Sequence, residues 1–184
     1  FFMKKLSSLK NILIVGAILL SVIAVVLFLL PAGSLVVENS ITGKIITKYP
    51  SVYTSIFGGT GTLVVKSIKA GSVTKTDYES ALSALNLVAW ILSILGIGVL
   101  VVSLCGSKKI KGLRTLLIAV GAVLVLAAAI LTFASFKSVG EAYTLPMTSD
   151  AKMGVGLVLP GILLILGAIA GVGALLIKDG KKKK

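Results

Sequence analysis

Four long apolar runs constrain this chain more than any other feature: Asn11–Leu30, Leu82–Cys105, Thr115–Phe136 and Met153–Ile177. None of them contains Asp, Glu, Lys, Arg or His. A helix rising about 1.5 Å per residue needs roughly 20 residues to cross a hydrocarbon core about 30 Å thick, and each run meets that length. Lipid offers the backbone no hydrogen-bond partners, so each run is expected to be a transmembrane helix. Of the 184 residues 57% are hydrophobic and 14% charged, a balance far from that of a soluble domain.

Lysine and arginine set the orientation. The segments MKKLSSLK, GSKKIKGLR and KDGKKKK carry 12 of the 19 Lys and Arg and a single acid, Asp179. The positive-inside bias makes these segments cytoplasmic. The other side carries seven lysines and five acids, Glu38, Asp77, Glu79, Glu141 and Asp150, so the net charge of +13 is almost wholly a topology signal. Nucleic acid is not needed as a partner to explain it. Lys181, Lys182, Lys183 and Lys184 are candidates for anionic-lipid binding, with simple anchoring as the alternative. The expected location is the cell (plasma) membrane, multi-pass, with both termini cytoplasmic.

The expected order is a cytoplasmic N-terminus (1–10), a first span (11–30), a large outer strand-rich domain (31–81), a second span (82–105), a cytoplasmic link (106–114), a third span (115–136), a small outer loop (137–152), a fourth span (153–177) and a basic cytoplasmic tail (178–184). Met3, Lys4 and Lys5 ahead of the first run, with PAGS after it, have the parts of a signal peptide. The run is longer than the usual h-region, so a retained span is expected. The opening FFMKK leaves two readings, residues ahead of an initiator Met3 or numbering that starts inside a longer product.

The segment 31–81 differs in kind, being rich in Val, Ile, Thr, Tyr and Ser and broken by Gly and Pro. It reads as strands and turns, with SLVVE, ITGKIITKY, SVYTSIF and TLVVKSIK as the four candidates. In ITGKIITKY, Ile41, Ile45 and Tyr49 fall on one face and Thr42, Lys44 and Lys48 on the other. The expected fold is an all-α four-helix transmembrane bundle bearing a small extracellular antiparallel β-sheet. Edge strands of that sheet are open to another chain unless the small outer loop covers one. TDYE, Thr76–Glu79, fits a capping box, which predicts that the second helix starts near Asp77 and is the longest of the four. Tyr78 and Trp90 then suit an interfacial level.

IFGGTGTLVV, Ile56–Val65, invites a phosphate-binding reading. It lacks both the dinucleotide spacing and the Lys-Ser/Thr end of a P-loop, and a strand-like LVVKSIK follows where a helix is needed. A turn joining two strands is expected, with Gly58, Gly59 and Gly61 supplying positive φ.

Catalytic templates are missing. The chain has no histidine, one cysteine and six scattered acids, so no His-based triad or metal cluster is readable. The polar groups at membrane depth are Asn86, Ser21, Ser93, Ser103, Thr132 and Ser135, with Asn86 near the outer interface and expected to bond a neighbouring helix or loop. No enzyme activity, cofactor or metal is expected. Cys105 ends the second span and reads as a small residue at a helix end, with acylation as the alternative. Gly167 with Gly171, and Ala17 with Ser21, are small-xxx-small pairs, and Gly96 and Gly98 thin the second span. Pro160-Gly161 predicts a bend in the fourth, as packing or as a hinge.

The lysine start, FLLPAG at the end of the first span and YTSIFG outside resemble small four-span membrane proteins of low-GC Gram-positive bacteria and mollicutes that carry no assigned activity. In topology the chain also resembles the claudin and related tetraspan group, which implies four helices and a strand-rich first outer loop. It departs from that group in lacking the loop's cysteine pair and its Trp-Gly-Leu-Trp segment, so no functional residue is carried over. The expected function is non-enzymatic and works through contacts, as a self-associating scaffold or an accessory subunit of a membrane complex. Partners are then the lipid bilayer and either the chain itself or another membrane protein. Contact candidates are Tyr49, Tyr53 and Phe57 outside and Gly167 and Gly171 in the bilayer, with packing inside one protomer as the alternative for each. The second reading is an oligomeric channel or a lipid or small-molecule carrier, and the third is sensing through the outer domain.

Overall fold

A computed structural model describes residues 2–39, 43–49, 51–67, 71–80, 82–105, 113–138 and 151–177. The elements run α1 (Phe2–Leu27), β1 (Gly33–Asn39), β2 (Gly43–Lys48), α2 (Val52–Phe57), β3 (Gly59–Ser67), β4 (Val73–Ser80), α3 (Ala84–Cys105), α4 (Arg114–Ala134), β5 (Ala151–Met153) and α5 (Val155–Leu176). Among the described residues four helices are long and apolar enough to cross a membrane: the Leu9–Leu27 part of α1, α3, α4 and α5. The longest is α1, not the second span as expected.

The helices form a closed ring in which α3 packs on α4, α4 on α5, α5 on α1 and α1 on α3. Close approaches show that successive neighbours are antiparallel. A Cβ at Gly96 would meet Val125, and one at Gly121 would meet Leu100, so α3 and α4 run in opposite directions. Gly167 lies against Ser21 and Ala17, while Gly156 lies against the Leu30 backbone, so α5 descends along α1. The buried centre is built from Ile14, Ala17, Leu100, Val125, Ala128, Leu164 and Ala168, with many small side chains that let the helices approach. Leu19, Val26, Val123, Ile130 and Ile169 face outward and are exposed, which only lipid makes favourable on this scale.

Local chemistry ends α1. The amides of Leu29 and Leu30 turn back to Val26 O (3.1 Å) and Leu27 O (3.0 Å), the tighter i to i−3 pattern of a closing helix. Pro31 follows, and the residue before a proline is disfavoured in helical geometry. Pro160 sits in the second turn of α5, which continues through it. Beside it Gly161 packs against the Phe133 ring of α4, so the pair contributes to packing.

The strands form one antiparallel sheet in the order β4-β3-β2-β1-β5. SLVVE, the later part of ITGKIITKY and TLVVKS all fall in strands, as read from their β-branched content. Residues 41 and 42 of the second candidate lie outside the described residues. The small loop between α4 and α5 supplies β5, which covers the outer edge of β1 through Gly33–Met153, Ser34–Lys152 and Leu35–Ala151.

Three expectations are corrected. SVYTSIF is not a strand: Val52–Phe57 is a short helix that buries Val52, Ser55 and Ile56 on one face. The spacing i, i+3, i+4 is helical, and burial of those residues outweighs the β propensity of Val, Tyr and Ile. TDYE does not cap a helix: Thr76–Glu79 lies within β4, which pairs with β3 from Gly59–Ser80 to Lys66–Val73. A ladder of that length outweighs one local cap worth about 1 kcal/mol. The helix starts instead at Ala84, where Ser83 Oγ accepts a long 3.4 Å bond from the Asn86 amide. Finally, the GGTGT turn joins a helix to a strand. Gly58 (φ 71°) and Gly59 (φ 119°) take positive φ there, and Gly61 lies inside β3.

Candidate functional site

The sheet meets the bundle at a collar built from α2, the end of α1, the start of α3 and the start of α5. Phe28, Ala32, Tyr49, Val52, Ile56 and Leu157 form a second buried cluster there, separate from the bundle centre. Backbone bonds fasten the strands to the helices: Gly154 N donates to Ala32 O (2.8 Å), Gly156 N to Pro31 O (2.9 Å) and Tyr53 N to Phe28 O (3.3 Å). Glycine is required at 156 because a side chain there would enter the carbonyl of Leu30. Tyr49 N donates to Gly33 O (2.9 Å), which sets the end of β2 against the start of β1.

A polar chain ties α2 to α3 inside this apolar collar. Asn86 Nδ2 donates to Ser55 Oγ (2.9 Å), Ser55 Oγ donates to Val52 O (2.7 Å), and Ser83 N donates to Ser55 O (2.7 Å). Ser83 Oγ in turn shares a short bond with Ser138 Oγ beyond the end of α4. Asn86 and Ser55 are both buried, and Ser55 Oγ gives the Asn86 side-chain amide a partner inside the apolar collar. Asn86 thus bonds a neighbouring helix, α2, one of the two kinds of partner expected for it. Ser55 was not singled out in the sequence, since a serine in an apparent strand carries no sign of which neighbour it meets.

The aromatic candidates divide. Tyr49 is buried at 2% exposure, and burial raises its phenol above the ordinary value of 10.0 because desolvation disfavours the phenolate. Tyr53 is half-buried and donates its hydroxyl to Val25 O (3.3 Å). Phe57 is 56% exposed, stacked on Tyr53 (5.8 Å between centroids, 12°) and met edge-on by Trp90 of α3 (5.1 Å, 81°). These three rings make an aromatic face on the outside of the collar. Tyr78 lies in β4.

The small-residue candidates face inward. Gly167 receives Ser21 Oγ and Ala17 O of α1 at 2.9 and 3.2 Å from where a Cβ would stand, and Gly171 receives Ala122 Cβ of α4 at 3.0 Å. Both small-xxx-small pairs are therefore engaged within the chain, Gly167 with Ala17 and Ser21 at the contact of α5 with α1 and Gly171 at the contact of α5 with α4. Gly98, by contrast, has nothing near it.

Hydroxyls within the spans are engaged locally. Ser21, Ser93 and Thr132 each donate to the carbonyl four residues earlier at 2.8 Å, and Ser103 and Ser135 to the carbonyl three residues earlier at 2.6 and 2.8 Å. Such back-bonding gives the hydroxyl proton a partner within its own helix. At the end opposite the sheet, Lys10 is buried and Arg114 bonds Asn11 Oδ1, joining α1 to α4. Cys105 is exposed at that same end. Lys181, Lys182, Lys183 and Lys184 lie outside the described residues. Among the described residues no cluster of His, Cys, Asp and Glu is placed to hold a metal ion. A scan of protein-family models gives no match to the chain, and a search of curated proteins gives none either.

Proposed function

We propose that the chain is a non-enzymatic protein of the cell membrane, with both termini cytoplasmic and the sheet outside, that works through protein contacts. It is a self-associating scaffold or an accessory subunit of a larger membrane complex. The observation that carries this reading is the distribution of polar groups. Hydroxyls in the spans are bonded to their own helices, so the bundle centre offers a solute no polar path. The sheet end, in contrast, presents an unpaired strand edge among the described residues and the Tyr53-Phe57-Trp90 face. Both are features of contact surfaces.

The layout, four spans with the main sheet between the first two, supports the likeness to claudins as an arrangement of elements. The experiment is gentle transfer of the protein into nanodiscs, native mass determination and identification of what travels with it. Repeated copies of this chain are expected for a scaffold, and a stoichiometric second protein for a subunit. A monomer carrying only lipid overturns both forms. Selective solute flux in liposomes would replace the reading with the channel or carrier alternative.

A further inference from the structure

The two ends of the sheet order differ in what they leave open. At one end β5 is three residues long and covers β1. At the other, β4 spans eight residues and pairs, among the described residues, with β3 alone. Its second edge carries a row of backbone donors and acceptors of the kind that accepts another strand. Charged residues often protect such an edge by repelling a copy of themselves. Here the charges, Lys75, Asp77 and Glu79, are of mixed sign, so the question is which register would bring them together.

Geometry limits the choice. Backbone groups along β4 point alternately toward β3 and away from it. When two copies of one strand meet antiparallel, facing residues must both point outward or both point inward. Their residue numbers therefore differ by an even count, and the two-fold axis passes through a residue rather than between two. Only two such registers keep all but one residue of β4 paired, those centred on Thr76 and on Asp77. Centring on Asp77 sets that acid opposite its own copy, which is repulsive. Centring on Thr76 sets Lys75 opposite Asp77 twice, Thr76 opposite Thr76, and Thr74 opposite Tyr78. Every charged residue then faces one of opposite sign or a neutral one.

We propose that a second copy of this chain docks on the open edge of β4, antiparallel and centred on Thr76, so that two Lys75–Asp77 pairs fix the register of a two-fold dimer. The contact is isologous, the same edge meeting itself, and joins two five-stranded sheets into one continuous sheet. It rests on the contact-function reading and names the partner as the chain itself. The charges act as a register key: they disfavour the competing centre and leave one alignment in which signs match.

The test uses the full chain in detergent and in nanodiscs, read by native mass and by dilution. Lys75→Asp and Asp77→Lys each turn two opposite-charge pairs into two like-charge pairs and are expected to weaken dimerisation about tenfold or more. The double variant, with the charges exchanged, restores it. In a Cys105→Ser background, Thr76→Cys, which alters no charge, forms a covalent dimer under mild oxidation, and Asp77→Cys does not. A wild-type oligomer that ignores both charge reversals and does not cross-link through position 76 overturns the edge proposal and leaves self-association standing. Efficient cross-linking through 77 and not 76 overturns the register. A wild-type chain that stays monomeric at high concentration overturns both the proposal and the scaffold form of the function.

Discussion

The bundle and the sheet solve opposite problems with the same chain. In the bundle almost every side chain is apolar, so polarity hardly distinguishes inside from outside, and small residues decide which faces meet. Gly96, Gly121, Gly167 and Gly171 sit at contacts, while bulky Leu, Ile and Val face outward. In the sheet polar and apolar residues are mixed, and pairing follows the backbone ladder and its register. Neighbours are thus chosen by volume in one region and by hydrogen-bond geometry in the other.

The comparison breaks most sharply at glycine. Gly156→Val, which drives a side chain into the Leu30 backbone, is expected to cost about 3 kcal/mol or more and to separate α5 from α1. Gly167→Leu, against Ser21 and Ala17, costs about 1–3 kcal/mol. Gly98→Leu meets nothing and stays within about 0.5 kcal/mol. Reversible unfolding in mixed micelles measures all three, and equal losses at 98 and 167 would show that volume does not choose the neighbours.

Smaller effects sharpen the boundary between the regions. Asn86→Ala removes the bond to Ser55 and is expected to cost about 1 kcal/mol. Its signature is local: hydrogen exchange rises in α2 and around Ser83 while the amides of α4 and α5 remain protected. Phe57→Ala removes an exposed ring and costs about 0.5 kcal/mol, with a change in Trp90 emission as the direct readout. The weakest effect near neutral pH comes from Tyr49. Its phenol is raised above 10.0 in the folded chain, so the contribution of the neutral form is fully present below that value and is lost as pH rises above it. Alkaline titration should therefore loosen the collar before the bundle, and Tyr49→Phe should remove that difference.

The spans were legible because lipid imposes one rule on every residue, and Leu82–Cys105 or Thr115–Phe136 obeys it without local exceptions. Strands β1, β2 and β3 were legible from runs such as SLVVE and TLVVKS, where β-branched residues cluster. Where the reading failed, a long-range partner outweighed a local signal. Thr76–Glu79 has the letters of a cap, yet β3 offers it a full ladder. Val52–Phe57 has the letters of a strand, yet the burial of Val52, Ser55 and Ile56 against Phe28, Leu157 and Asn86 sets its helical period. Of the contact candidates, Phe57 was placed at an exposed position, whereas Tyr49, Gly167 and Gly171 are engaged within the chain.

The strand β5 also imposes an order on synthesis. Residues 151–153 pair with 33–35, so the sheet spans nearly the whole distance between the first helix and the last. A chain emerging from its N-terminus makes β1 to β4 early, but the strip that covers β1 arrives only as α5 follows it into the membrane. Until residues 151–153 are made, the growing chain has no β5 to lay against β1. The pairing thus defers the covering of one sheet edge until most of the chain has been made.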